Sequence, residues 1–180
     1  MKQENGFTLV EILVAVLVLA IGLLGLAKLQ TTGLHNGHSA NLRTQATLLA
    51  YDIADRMRAN RAAYMNVNGN PVDPPGGTTA KKCEWNDSTV DDCSLTEMAQ
   101  FDLAQWRTNV GSNLPSGSGT ICLDTTPGDG GDSNNNGAIE ASEYACDGLG
   151  SVYAIKIWWI DEYDGAGNPR FKRFVTTFQP

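Results

Sequence analysis

Beyond residue 65 the chain is poor in positive charge, and throughout it lacks the side-chain combinations that most catalytic sites use. Residues 65 to 180 carry 7 basic and 16 acidic side chains, a net of −9. Such a surface repels phosphate backbones and disfavours nucleic acid as a partner. The only two histidines, His35 and His38, are far in sequence from the four cysteines, Cys83, Cys93, Cys122 and Cys146, and no C-x-x-C pair occurs. A zinc site is therefore not expected. No nucleophile–base motif is present either. The glycine-rich stretch GSNLPSGSG, residues 111 to 119, lacks the lysine and following serine or threonine of a phosphate loop and reads as a flexible connector. These absences argue against an enzyme.

What the chain does have is placed unevenly. From Phe7 to Ala27 runs an apolar segment in which Glu11 is the only charge and no proline intervenes. At about 1.5 Å per residue it is long enough to cross a hydrocarbon core, so it is expected to form a membrane helix. Glu11 is then out of place, since a carboxylate in hydrocarbon costs roughly 2.5–3.5 kcal/mol on insertion scales. The polar leader MKQENG ends in glycine immediately before the apolar run. An ordinary secretory signal is cut after its apolar region. A cut between Gly6 and Phe7 would instead remove the leader and keep the helix.

Together these features resemble the type III signal of type IV pilins and pseudopilins: G-F-T-L-V-E, with Gly6, Phe7 and Glu11 in those relative places ahead of an apolar helix. The resemblance implies cleavage after Gly6 by a membrane-embedded prepilin peptidase and N-methylation of the new N-terminal Phe7. It also makes Glu11 the fifth mature residue. There its carboxylate can meet the α-amino group of a neighbouring subunit's Phe7 in a bundle of helices; the plainer alternative is a carboxylate that snorkels to the headgroups.

The helix is expected to continue past Lys28. Leu42, Ala46, Leu49, Ile53 and Met57 form an apolar stripe, with Arg43, Asp52, Asp55 and Arg58 on the other side. Such a stripe packs a helix onto its own globular domain. Gly22, Gly25, Gly33 and Gly37 each weaken a helix by about 1 kcal/mol relative to alanine. They either loosen the helix or let neighbouring helices approach. The expected organisation is a cleaved leader, 1–6; a helix, 7–64, of which 7–27 is the transmembrane or filament-core part; and a head domain, 65–180.

In the head, Ser94 and Glu97 form a capping box that opens a short helix from Leu95 to about Val110. Leu95, Ala99, Leu103 and Trp106 fall on one side of it. Residues 120–123 suit a strand. SVYAIKIWWID (151–161) and FKRFVTTF (171–178), joined through DGAGN, read as a hairpin. In a regular strand Trp158 and Trp159 point to opposite faces, one to the core and the other to a neighbour or the helix. The fold class is α+β, a long helix packed on a small antiparallel sheet. An even cysteine count behind an export-type N-terminus suggests disulfides. Of three possible pairings the sequence-local one, Cys83–Cys93 with Cys122–Cys146, is favoured. Residues 41–64 and 101–123 resemble the PilV-type minor pilins of Gram-negative bacteria. The resemblance implies pilin partners through the N-terminal helix and, in some systems, a tip adhesin. It implies too a location in the inner membrane, with the head in the periplasm, before assembly into an extracellular pilus.

Between Cys122 and Cys146 lies DSNNNGAIEASE, residues 132–143, which fits the twelve-residue calcium pattern D-x-[DN]-x-[DN]-G-x5-E. Asp132, Asn134 and Asn136 would supply side-chain oxygens and Ala138 its carbonyl. Glu140 would act through water and Glu143 as a bidentate ligand, with Gly137 at the sharp turn. No helix is expected before it, so the site would be an isolated calcium loop of weak, extracellular-type affinity.

Overall fold

The computed structural model describes residues 8–65, 72, 74, 83 and 93–179. Its elements are α1 (Leu9–Ala59), α2 (Leu95–Asn113), β1 (Ser118–Leu123), β2 (Tyr153–Tyr163) and β3 (Pro169–Phe178), with short 3-10 turns at Arg61–Ala63 and Ala141–Glu143. The three strands form one antiparallel sheet in the order β1-β2-β3. Residues 1–41 and 42–180 are separate compact units. The fold is α+β, as expected.

In the first unit, helix α1 starts where Thr8 Oγ1 accepts the Glu11 N–H at 3.3 Å. The helix is unbroken through Gly22, Gly25, Gly33 and Gly37. Its aliphatic side chains are exposed on every face, Leu9, Val14, Leu19 and Leu24 among them. An all-apolar, all-exposed helix is not stable against water and needs an apolar surrounding.

In the second unit, Leu42, Ala46, Ala50, Ile53, Ala54 and Met57 are buried, and Leu49 packs against their cluster. The expected stripe is thus the core face of the helix. Charges on the same stretch are not all idle on the solvent side. Arg56 reaches Asp52 at 3.1 Å and Asp102 of α2 at 3.0 Å. Burial works against the Arg56 charge, but these hydrogen bonds and the attraction of both carboxylates outweigh it and raise its pKa. The helix stops at Ala59, short of residue 64, because Asn60 turns its side-chain amide to the Leu95 carbonyl at 2.7 Å and the chain continues as a 3-10 turn. Tyr64, just beyond, is fully buried.

Helix α2 carries the expected capping box: Ser94 Oγ accepts from Glu97 N, and the Glu97 carboxylate accepts from Ser94 N. Ala99, Leu103, Trp106 and Val110 are buried, whereas Leu95, in the first turn, is exposed. Trp106 donates its indole N–H to the Leu49 carbonyl at 2.9 Å, tying α2 to α1. The segment after α2 is not a loose connector. A Cβ on Gly117 would lie 2.3 Å from the Val110 carbonyl oxygen, and one on Gly119 would lie 2.7 Å from the Trp106 ring. Glycine is needed there because backbone and ring come too close for any side chain.

The sheet has two covered faces. Ile121, Leu123, Tyr153, Ile155, Ile157, Trp159 and Phe178 join the helix-side core. The opposite face carries Thr120, Cys122, Ala154, Lys156 and Trp158, also buried. One tryptophan was expected in the core and the other against a neighbour or the helix. Instead both are shielded, Trp158 by the ring of Tyr144, stacked on it at 5.4 Å and 14°. The segment between β1 and β2 is therefore a second layer over the sheet. Nothing in the period-2 pattern of the strand could have shown what lies above it.

Candidate functional site

Two places concentrate the sequence features: the start of α1 and the segment 124–147. At the first, Gly6 and Phe7 lie outside the described residues. Glu11 sits in the first turn of α1, where a carboxylate also suits the positive end of the helix dipole. With Ile12, Ala15, Val16 and Leu19 it lies along one exposed strip of the helix. His35 and His38 lie on the same helix, in its exposed portion. Among the described residues, α1 is the one helix long and apolar enough to cross a membrane.

The second place is built as a clasp. Cys122, on β1, is bonded to Cys146, and Cys83 to Cys93, so the two bridges are the sequence-local ones. Inside the larger bridge, β2 and β3 each send one cation to the loop. Lys156 Nζ lies 2.7 Å from Asp129 Oδ1, 3.0 Å from the Tyr144 carbonyl and 3.1 Å from that of Ala145. Arg173 donates to the carbonyls of Gly128, Asp129 and Gly130. Both ends of residues 132–143 are thereby fastened to the sheet. The Lys156 and Thr126 hydrogen bonds hold the Asp129 carboxylate below its ordinary pKa.

Within the calcium-type loop, oxygen atoms turn inward onto backbone N–H groups. Asp132 accepts from Asn136 N and Gly137 N, each at 3.1 Å. Asn134 Oδ1 accepts from Asn136 N and Asn136 Oδ1 from Ala138 N, both at 2.9 Å. Glu143 is buried and accepts from Ser133 N at 2.8 Å, Asn134 N at 3.1 Å and Glu140 N at 3.1 Å. The Glu140 N–H chiefly, helped by Ser133 and Asn134, overcomes desolvation and lowers the Glu143 pKa. Glu140 itself receives the Asn136 amide at 2.9 Å. Gly137 takes a positive φ of 81°, the sharp turn that the pattern requires. Ile139 is buried and fixes the middle of the loop.

The structure thus brings Asp132, Asn134, Asn136, Glu140 and Glu143 into one hydrogen-bonded loop with an all-oxygen set of possible ligands, which suits a hard cation. Carboxylates alone do not suffice. Among the described residues no three His, Cys, Asp or Glu side chains are arranged to hold a metal ion. Any such ion would depend on the two asparagine amides and the Ala138 carbonyl as well.

Sequence reasoning overlooked Lys156. Its signal was present, a single charge inside YAIKIWWI, a strand otherwise apolar on both faces. A buried lysine needs partners, and the acidic loop before it was the place to look.

Comparison with known families agrees with the geometry of α1. The prokaryotic N-terminal methylation motif matches residues 1–27, and the family described as Type IV pilin Tt1218 matches residues 28–104. No curated protein and no solved structure matches the chain significantly. The two matches are contiguous, and they meet in the helix that the structure leaves exposed in its first half and buries in its second. Over residues 1–104 the chain is thus similar to type IV pilins and carries a prepilin-type N-terminal motif.

Proposed function

We propose that the chain is a minor pilin, a non-enzymatic subunit that enters a type IV pilus or primes its assembly. The observation that carries this reading is the first half of α1: an apolar helix exposed on every face, with one carboxylate in its first turn and a methylation motif over it. Such a helix is anchored in the membrane until other pilin helices replace the lipid around it. Processing by a prepilin peptidase after Gly6 would expose the Phe7 amine, and Glu11 would pair with that amine on a neighbour. The minor-pilin grade rests on the PilV-type character of residues 41–64 and 101–123. The head would lie in the periplasm before assembly and outside the cell afterwards.

Deleting the gene, with piliation or twitching and enzyme secretion assayed separately, tests the reading. Loss of piliation is expected. Loss of secretion alone would make the chain a pseudopilin of a type II secretion system instead. Mass spectrometry of the native N-terminus tests the processing step: an N-methyl-Phe7 start is expected, and an intact Met1 overturns it. An adhesive role for the exposed head remains a second reading, supported by the ordered, disulfide-closed loop.

The same proposal gives the loop a cation. Asp132, Asn134, Asn136, the Ala138 carbonyl, Glu140 and Glu143 would hold calcium with an affinity on the order of 10⁻⁴–10⁻³ M, since two of the side-chain ligands are neutral amides. The ion would lock the layer that covers the outer face of the sheet. Calorimetry up to about 10 mM calcium that shows neither heat nor a change in melting removes calcium from the proposal.

A further inference from the structure

The most enclosed charges of the described residues lie on the outer face of the sheet. The side chains of Lys156, in mid-β2, and Asp124, directly after β1, are both fully buried, with Nζ 2.5 Å from Asp124 Oδ2. Short as that contact is, it lies outside hydrogen-bond geometry, and Asp124 Oδ2 accepts no hydrogen bond among the described residues. The amine is pressed against the carboxyl group without bonding to it in the usual way.

The other atoms around the pair are placed to help a reaction. Asp124 Oδ1 accepts the Thr126 N–H at 2.9 Å, so one donor already stands where negative charge would collect. Asp129 Oδ1 lies 2.7 Å from Nζ on the side open to solvent, and its Oδ2 is oriented by the Thr126 hydroxyl at 2.8 Å. The Cys122–Cys146 bridge and the bonds from Nζ to the Tyr144 and Ala145 carbonyls hold the strand and loop in this arrangement. Reacting groups fixed this way reach effective concentrations on the order of 10⁵–10⁸ M.

We propose that Lys156 and Asp124 are joined by an intramolecular amide bond. One proton passes from Nζ to Asp124 Oδ2, which leaves a neutral amine beside a neutral carboxylic acid, both side chains fully buried. The Nζ lone pair attacks Cγ, and the C–O π electrons move to Oδ1, facing the Thr126 N–H. The Asp129 carboxylate takes a second proton from Nζ and delivers it to the Oδ2 hydroxyl. The Cγ–Oδ2 bond breaks, and Oδ2 leaves as water. One ammonium and one carboxylate become one secondary amide and one water, with no oxidant and no further reactant. The layer over the sheet is then tied down twice, by a disulfide and by a bond that reduction does not touch.

The test is the intact mass of the full-length mature chain, extracted in detergent and fully reduced. A mass below the calculated value by one water, about 18 Da, is expected, together with a digest in which the peptide holding Lys156 is joined to that holding Asp124. Lys156→Arg and Asp124→Ala should restore the calculated mass. Asp124→Asn should lose ammonia in place of water. Asp129→Asn, which keeps the buried pair, should accumulate the unlinked chain; full cross-linking in that variant would overturn the role given to Asp129. A reduced wild-type chain at its full calculated mass would overturn the bond and leave an ion pair.

Discussion

The two halves of α1 use the same aliphatic alphabet and treat it in opposite ways. Leu19 and Leu24 in the first half are more than half exposed, while Leu42, Ile53 and Met57 in the second are buried against α2 and the sheet. Helix propensity does not separate them; partners do. The second half finds its apolar neighbours within the chain, and the first must find them in lipid or in other subunits. Each region also holds one conspicuous charge, Glu11 in the helix and Lys156 in the sheet. Lys156 is satisfied inside the subunit, whereas the partner proposed for Glu11 belongs to another copy.

Substitution of Glu11 should break this comparison most severely. Removing one member of a buried ion pair costs about 3–5 kcal/mol, which corresponds to more than a hundredfold loss of incorporation. Glu11→Ala should therefore leave little chain in sheared filaments, as read by immunoblot, while the melting of the head is unchanged. Normal incorporation would mean that the carboxylate only snorkels. In the head, Gly117→Ala should cost about 1–3 kcal/mol by overpacking, because the new Cβ meets a backbone oxygen of α2 that has no easy retreat. Urea unfolding of the head measures it, and an unchanged midpoint would show that the turn can open.

The calcium proposed for residues 132–143 should sharpen the contrast, since it would act on one region alone. At 10 mM ion and an affinity on the order of 10⁻⁴–10⁻³ M, linkage adds roughly 1.4–2.7 kcal/mol to head stability. Thermal melting with calcium against chelator should show it, and Glu143→Gln should abolish the shift. Acid should act on the same segment. Hydrogen bonds hold the folded-state pKa of Glu143 below that of the unfolded chain. The stability this contributes is present above the ordinary carboxylate range, near pH 4, and is lost as pH falls below it toward the folded-state value. Melting followed from about pH 6 to pH 3 should decline over the lower part of that range, less steeply in Glu143→Gln.

Much of this was legible in residue spacing. The apolar run, the stripe on α1, the capping box at Ser94 and the hairpin all follow from local properties: composition, periods of 3.6 and 2, and a four-residue motif. The second layer over the sheet was not legible, because its cause is long-range. Trp158 reads as half of an alternating strand until Tyr144 is seen stacked on it. Residues 111–119 read as flexible from their glycines, yet Gly117 and Gly119 are there because a helix carbonyl and the Trp106 ring approach too closely. Lys156 escaped for a related reason: a strand pattern tolerates one charge on an outward face, and only the folded loop makes that face an interior.

The smallest effect separates the same residue type in the two regions. A Cβ added at Gly22, Gly25, Gly33 or Gly37 meets nothing within 4 Å, in contrast to Gly117. Gly33→Ala should therefore leave head melting within about 0.5 kcal/mol and strengthen the isolated helix by up to about 1 kcal/mol. Its informative readout is the filament. If these glycines exist so that neighbouring helices can approach, alanine at position 33 will reduce incorporation despite the more stable helix, since close helix contacts depend on small residues. If they serve to loosen the helix, incorporation will persist and the filaments will be stiffer under shear. A head destabilised by Gly33→Ala would contradict both outcomes and would mean that the two halves of α1 are not energetically separate.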